Sequence, residues 1–297
     1  MTDWIKWAAA GTLLRLAGRP ERNRARFYDG AHGLRILTLH AMSGREVDHF
    51  RRIVDWCAER YEIVGPEAAD RLFEGRLEPA ARDRVLFTFD DGHERDFPVA
   101  EWLAQRGIHG IFFVIPSYVG RTVREFLAYH DERGIEAYDI AGGEDPDRVH
   151  GLAPTQIREM AGMGHRIAAH NHAHRDLGHL HRDEDFEYEI GRARETLSEL
   201  LGVPCDDFAW AFGHARHLSA EAAEYLLRHV PRVYACVRGL NVPGLTPRFA
   251  VRDNLYTNGP RVASKLFIEG GGDDRWTRER TELLSCAGAL PAWGVTP

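Results

Sequence analysis

Val85-Leu86-Phe87-Thr88-Phe89-Asp90-Asp91-Gly92-His93 carries an apolar run straight into two adjacent acids and a glycine. Such a run reads as a strand buried on both faces of a parallel sheet. The acids then fall at the strand's C-terminal end, where α/β folds place their chemistry. Neighbouring carboxylates repel unless a proton or a cation offsets them. A metal ion would take one as a ligand and leave the other free as a base, so further ligands are expected elsewhere in the chain.

Outward from this stretch the chain alternates strand and helix. Leu34 to His40 reads as the first strand, with His40 at its C-terminal end. Ser43 is placed to cap a helix over Arg45–Glu59, whose apolar positions recur at helical spacing. Tyr61 to Val64 reads as a short strand, and Pro66-Glu67 opens a helix to Leu77. A helix over Phe97–Arg106 stops at Gly107, and Ile111 to Ile115 is a strongly apolar strand. The alternation indicates βα units and a largely parallel sheet, hence an α/β fold. Ser117 to Gly151 breaks the rhythm with Gly, Asp, Glu and Tyr. It reads as an insertion with a helix near Thr122–Asp131, either shaping a substrate groove or forming a solvated excursion. Later helices are expected over Glu184–Leu201 as one long run, Ala220–Arg228 and Gly259–Ile268. A strand is expected at Val233–Val237. Gly270-Gly271-Gly272-Asp273-Asp274 reads as a flexible hinge. The domain reading is a helical extension over 1–30, a main domain over 31–270 and a tail over 271–297.

The missing ligands come from the next strand. His165-Arg166-Ile167-Ala168-Ala169-His170 runs into Asn171-His172-Ala173-His174, so His170 and His174 stand four apart. Imidazoles at that spacing can converge on one ion. The chain holds 16 histidines, so the pair alone says little. With Asp91 it makes two histidines and one carboxylate, a recurring set for zinc with one position left open. His172 then points elsewhere, as a surface or supporting residue.

These stretches resemble one family. Thr88-Phe89-Asp90-Asp91-Gly92 is similar to the first motif of the polysaccharide deacetylase family (carbohydrate esterase family 4, the NodB-homology domain). His170-Asn171-His172-Ala173-His174 resembles its second motif, with Asn171 in place of the usual Ser or Thr. Phe208-Ala209-Trp210-Ala211-Phe212-Gly213 resembles a variant of the third. The resemblance spans about Leu34 to Gly270. It implies a distorted (β/α) barrel of the polysaccharide deacetylase type, with a metal-dependent site at the strands' C-terminal face. By it Asp90 is the general base, and Asp91, His170 and His174 hold a divalent metal, most commonly zinc. Phe212 offers its backbone N–H to the oxyanion. The implied activity is removal of acetyl groups, N-acetyl foremost, from a polysaccharide, oligosaccharide or lipid-linked sugar. The alternatives are a hydrolase of another small amide on the same scaffold and a carbohydrate-binding relative impaired in catalysis.

Three departures from the family pattern matter. The arginine that commonly opens the third motif is missing, and Ala209-Trp210 stand there. Arg248, in Leu245-Thr246-Pro247-Arg248-Phe249, is assigned the pairing with Asp90, with Arg252 as its rival. Ala211-Phe212 replace the common Pro-Tyr, which makes the pocket wall more apolar. No histidine follows Arg248, so the proton for the leaving group is assigned to His40, with His214, His217 or water as alternatives. Trp210, Phe212, Arg248 and His40 are thus the expected substrate-side residues.

Composition narrows the classes. The chain has 297 residues and a formal net charge of −7, with no basic stripe interleaved with aromatics, which gives no footprint for nucleic acid. Four separated cysteines, Cys57, Cys205, Cys236 and Cys286, read as reduced and structural. Trp4 to Leu16 is apolar, too short to span a bilayer and without a clear cleavage site. It is followed by Arg19, Arg22, Arg24 and Arg26. The segment reads as a helix packed on the main domain or as an interfacial helix with Trp4 and Trp7 at headgroup level. The expectation is a cytoplasmic protein, with peripheral contact at the inner membrane face through that helix. Nothing in the sequence sets the oligomeric state.

Overall fold

The structure, a computed structural model, describes residues 3–242 and 249–286. In chain order the elements begin with α1 (Asp3–Leu16), α2 (Arg19–Tyr28), β1 (Leu34–Leu39), α3 (Arg45–Arg60) and β2 (Glu62–Ile63). Then come α4 (Glu67–Phe73), β3 (Arg84–Phe89), α5 (Asp96–Ala104), β4 (Ile111–Val114), α6 (Val123–Asp131), α7 (Pro154–Gly162) and β5 (Arg166–His170). The chain continues with α8 (Asp183–Phe186), α9 (Arg192–Leu201), β6 (Asp207–Ala209), α10 (Ala220–His229) and β7 (Arg232–Ala235). It closes with β8 (Phe249–Asn254), α11 (Arg261–Ile268) and α12 (Thr277–Cys286). The chain divides into two compact units, 1–87 with 236–297, and 88–235.

The first unit pairs β1 with β8 and β2 with β3, both in parallel register. All six residues of β1 are buried, as a parallel strand covered on both faces requires. Arg35 on β1 lies between Asp253 (2.5 Å) and Asp273 (2.9 Å), and Tyr28 donates its hydroxyl to Asp273 at 2.8 Å. This network anchors the stretch expected to be a hinge, where Gly270, Gly271 and Gly272 are all buried. A Cβ at Gly271 would lie 2.2 Å from Leu266 Cδ1, so its glycine serves close packing rather than freedom. Arg280 of α12, fully buried, donates to the Arg238 carbonyl at 2.6 Å. The first part of the expected tail is therefore packed structure. Ser43 does not cap α3 through its side chain. Gly44 holds the cap position, and the Ser43 N–H donates to Glu46 at 3.2 Å. Gly11 of α1 sits against Val262 and Ala263 of α11, and Arg15 pairs with Glu269 at 2.5 Å. The side chains of Trp4 and Trp7 lie outside the described residues. No described helix is long and apolar enough to cross a membrane.

The second unit continues the parallel series from the end of β3 through β4, β5, β6 and β7. β4 is buried at every position, and Phe89 stacks on Phe112 with centroids 4.5 Å apart. The 117–151 insertion is anchored by a small core of its own, while most of 131–148 is exposed to solvent. Thr122 and Glu125 form a capping box on α6, and Ile115, Tyr118, Val123, Phe126, Ala141 and Val149 build a small core under it. The helix expected over Glu184–Leu201 is interrupted by a π-turn at Glu187–Gly191, between α8 and α9.

Candidate active site

Every side chain of the site described below belongs to the second unit, at the C-terminal ends of its strands. β3 ends at Phe89, and the backbone turns at once through two left-handed residues, Asp91 (φ 78) and Gly92 (φ 75). A Cβ on Gly92 would come 2.8 Å from Val114 Cγ1, so the turn needs glycine there. β5 delivers His170 at its last position, and the following loop brings back His174. The Oδ1 of Asp91 lies 3.5 Å from His170 Nε2 and 3.5 Å from His174 Nε2. All three ligand atoms lie within 4.8 Å of one another, the sole such grouping found among the described residues.

The donor set fits a divalent ion. Two ligands held ~2.0–2.1 Å from one tetrahedral centre stand about 3.4 Å apart, close to the spacing seen here. The His170 Nδ1–H donates to the Ala209 carbonyl at 2.8 Å, which leaves the Nε2 lone pair facing Asp91. Burial holds the His170 imidazole down at about 4, against the pull of Asp90, so the ring is neutral near pH 7 and able to ligate. Nδ1 of His174 is buried with no hydrogen-bond partner among the described residues.

Backbone strain collects at the same place. Five described non-glycine residues have positive φ, and four of them, Asp91, Asn171 (φ 34), His174 (φ 54) and Phe212 (φ 64), belong to the site or its loops. Residues in that region cost on the order of 1–3 kcal/mol each and persist where the surroundings over-determine them. Asn171 is part of that determination: its Oδ1 accepts from the Ala211 N–H at 3.1 Å and its Nδ2 donates to the Arg175 carbonyl at 2.9 Å.

Beside the three ligands lies an open cavity of about 1010 Å³ whose wall includes Tyr138, Phe212, Asp176 and His217. Tyr138, 53% exposed, meets Phe212 edge-on at 4.9 Å and lies 5.6 Å from the His174 ring. The His217 ring lies 4.8 Å from Phe212, and its Nδ1 bonds Asp176 at 2.5 Å.

A family model described as polysaccharide deacetylase matches residues 78–228. The chain belongs to the polysaccharide deacetylase family. Its members deacetylate carbohydrates and are metal-dependent in general. Among solved structures, a de-N-acetylase from Aggregatibacter actinomycetemcomitans superposes with a TM-score of 0.61 at 15% identity, covering 79% of this chain and 99% of that one. IcaB from Ammonifex degensii gives 0.57 at 20% identity over 81% and 96%. Streptococcus pyogenes deacetylase PplD, in complex with acetate, gives 0.58 at 16% identity over 80% and 99%. These likenesses show the fold, the distorted (β/α) barrel of polysaccharide deacetylases. A search of curated proteins finds no match.

Against the family pattern, Asp91, His170 and His174 converge, and Asp90 lies directly before them, 3% exposed. Phe212 borders the cavity. Trp210 does not: its indole is fully buried and donates to the His214 carbonyl at 3.2 Å, so it is a core residue and not a substrate contact. His40 stands exposed just past β1, in the other unit. Arg248 lies outside the described residues, and its rival Arg252 is fully buried on β8, in register with Ile36. His172 is 4% exposed, which makes it a supporting residue and not a surface one. Sequence reasoning missed Tyr138, Asp176 and Glu189. Only Tyr138 left a signal, as an aromatic inside an otherwise polar insertion.

Proposed function

We propose that this polysaccharide deacetylase removes N-linked acetyl groups from a carbohydrate, with zinc held by Asp91, His170 and His174. The observation that carries this reading is the convergence of those three ligand atoms beside a cavity walled by Tyr138 and Phe212. When bound, a divalent ion supplies Lewis acidity to the acetyl carbonyl and lowers the pKa of water. The chain's own residues do the rest. Asp90, buried and adjacent, accepts the proton of the attacking water. The Phe212 N–H serves as the oxyanion donor. His217, with its ring held through Nδ1 by Asp176, exchanges a proton with the departing amine. Arg216 donates to His217 Nε2 at 3.0 Å and must turn aside for that exchange. Tyr138 and Phe212 offer aromatic surface to a sugar ring.

The test is acetate release from N-acetylglucosamine oligomers and from acetylated xylan by zinc-loaded protein, with bound metal measured. Release from the oligomers with one zinc per chain supports the reading. Folded protein that takes up no zinc, or that releases acetate from xylan alone, overturns it.

A peripheral membrane role for α1 is also proposed, on the exposure of Leu13 (66%) and Leu16 (81%). Co-sedimentation with anionic vesicles, lost in Leu13→Ser/Leu16→Ser, tests it.

A further inference from the structure

The loop that carries His174 leaves β5 through a peptide, that of His172, held from both sides. Its N–H donates to Glu189 Oε2 at 3.2 Å, and the Ala173 N–H donates to the same oxygen at 3.1 Å. Its carbonyl accepts from the Ser117 hydroxyl. Behind Ser117 the hydrogen bonds run in one direction: Tyr188 OH bonds His130 Nδ1 at 3.1 Å, and His130 Nε2 bonds Ser117 Oγ at 2.9 Å. Since Ser117 spends its proton on the carbonyl, His130 Nε2 must donate and Nδ1 must accept. Tyr188 and Glu189 are neighbours in the π-turn. That turn inserts an extra residue into the helix, and both side chains reach the same loop.

Glu189 is fully buried, and the cation nearest its Oε1 is Arg175 Nη1 at 3.8 Å, itself held by Asp185 at 3.1 Å. A carboxylate this deep is costly unless it is compensated. Its compensation comes from the backbone between the two histidine ligands, which bends through left-handed residues at Asn171 and His174. Without an acceptor there, two buried N–H groups would be left open and that backbone would relax.

We propose that Glu189 is a positioning residue for the metal site: by accepting from His172 and Ala173 it fixes the strained loop that sets His174 against Asp91. This rests on the deacetylase reading for the identity of the ligands but not for the hydrogen bonds themselves.

Zinc affinity, by competition with a chromogenic chelator, is measured for Glu189→Leu, Glu189→Asp and Glu189→Gln in the full chain. Hydrogen exchange of 171–175 is followed in the zinc-free proteins. Gln keeps an acceptor oxygen at the same reach, Asp withdraws it by one bond, and Leu deletes it. Leu and Asp are expected to weaken zinc binding about ten- to a hundredfold, as loss of ligand-orienting partners does, and Gln to stay within about threefold. The 172–173 amides are expected to lose protection in Leu and Asp and to keep it in Gln. Should Leu fail to fold, Asp decides. Zinc affinity within about threefold of the parent in a folded Asp or Leu variant overturns the proposal, even if its melting temperature falls, because that is what a merely structural residue would do. Parent protein that binds no zinc defeats the metal reading, while exchange at 172–173 still decides whether Glu189 holds the loop.

Discussion

The two ends of the second unit's strands bury charge in opposite ways. At the N-terminal ends, Arg166 opens β5, Asp207 opens β6 and Arg232 opens β7. Asp207 accepts from Arg232 at 2.9 and 2.8 Å and from the Tyr234 hydroxyl at 2.6 Å, with Arg166 at 3.6 Å. Its charge is met by cations of its own chain, and no residue of that cluster has positive φ. At the C-terminal ends, Asp91 faces two imidazole nitrogens at 3.5 Å, and burial keeps the His170 ring neutral. Strained backbone gathers there. One end is satisfied by the chain itself. The other turns a carboxylate toward two imidazoles within a loop of strained backbone, the arrangement to which the proposed function assigns a cation.

The largest effect expected to probe this division is at the open end. His170→Ala should lose the zinc and lower acetate release about a thousandfold or more, roughly 4 kcal/mol in the barrier, with the circular dichroism unchanged. Mass spectrometry of bound metal and initial rates check it, and a variant that keeps its zinc would break the comparison. At the closed end, Asp207→Ala should cost about 3–4 kcal/mol in urea unfolding, because it removes the buried carboxylate to which Arg232 and the Tyr234 hydroxyl donate. Zinc affinity should not move; a fall would show that the two ends are coupled.

Acid should separate the ends more gently. Burial holds His130 down at about 4 and His172 at about 3, below their unfolded value of roughly 6.5. Below that value the unfolded chain binds more protons, so their contribution is complete above about pH 6.5 and is lost as pH falls toward about 4. Protection factors at 171–175, corrected for the intrinsic slowing of exchange in acid, should therefore fall between pH 7 and pH 5, while those at 207–209 and 232–235 hold. Uniform loss of protection would argue against the division. The smallest effect is expected at Tyr138→Ala, which should raise KM several-fold, about 1 kcal/mol, with kcat nearly constant. Steady-state kinetics on the acetylated oligomer check it.

Much of the site is legible in the chain because its signals are local. The run Val85–Phe89 states a buried strand, Asp90-Asp91-Gly92 must follow at its end, and four-residue spacing links His170 to His174. Trp210 shows where local reading fails. It sits between Ala209 and Phe212, but which neighbours of a strand end face the cavity depends on twist and register, and the indole proves fully buried. The π-turn is hidden because an apolar pattern over 184–201 tolerates one inserted residue. The glycines at 270–272 read as a hinge and prove buried, because close packing and flexibility ask for the same residue.

The sequence by itself determined the candidate ligand set, the direction of the strands that present it and the family, since each depends on residue type and spacing along the chain. Only the tertiary structure decided which groups meet the loop between the two histidines: the Glu189 carboxylate on the His172 and Ala173 amides, and the Ser117–His130–Tyr188 chain on the His172 carbonyl. The reason is physical. A buried donor can be satisfied by any acceptor that folding brings within about 3 Å, whatever its distance along the chain, so spacing cannot name the partner.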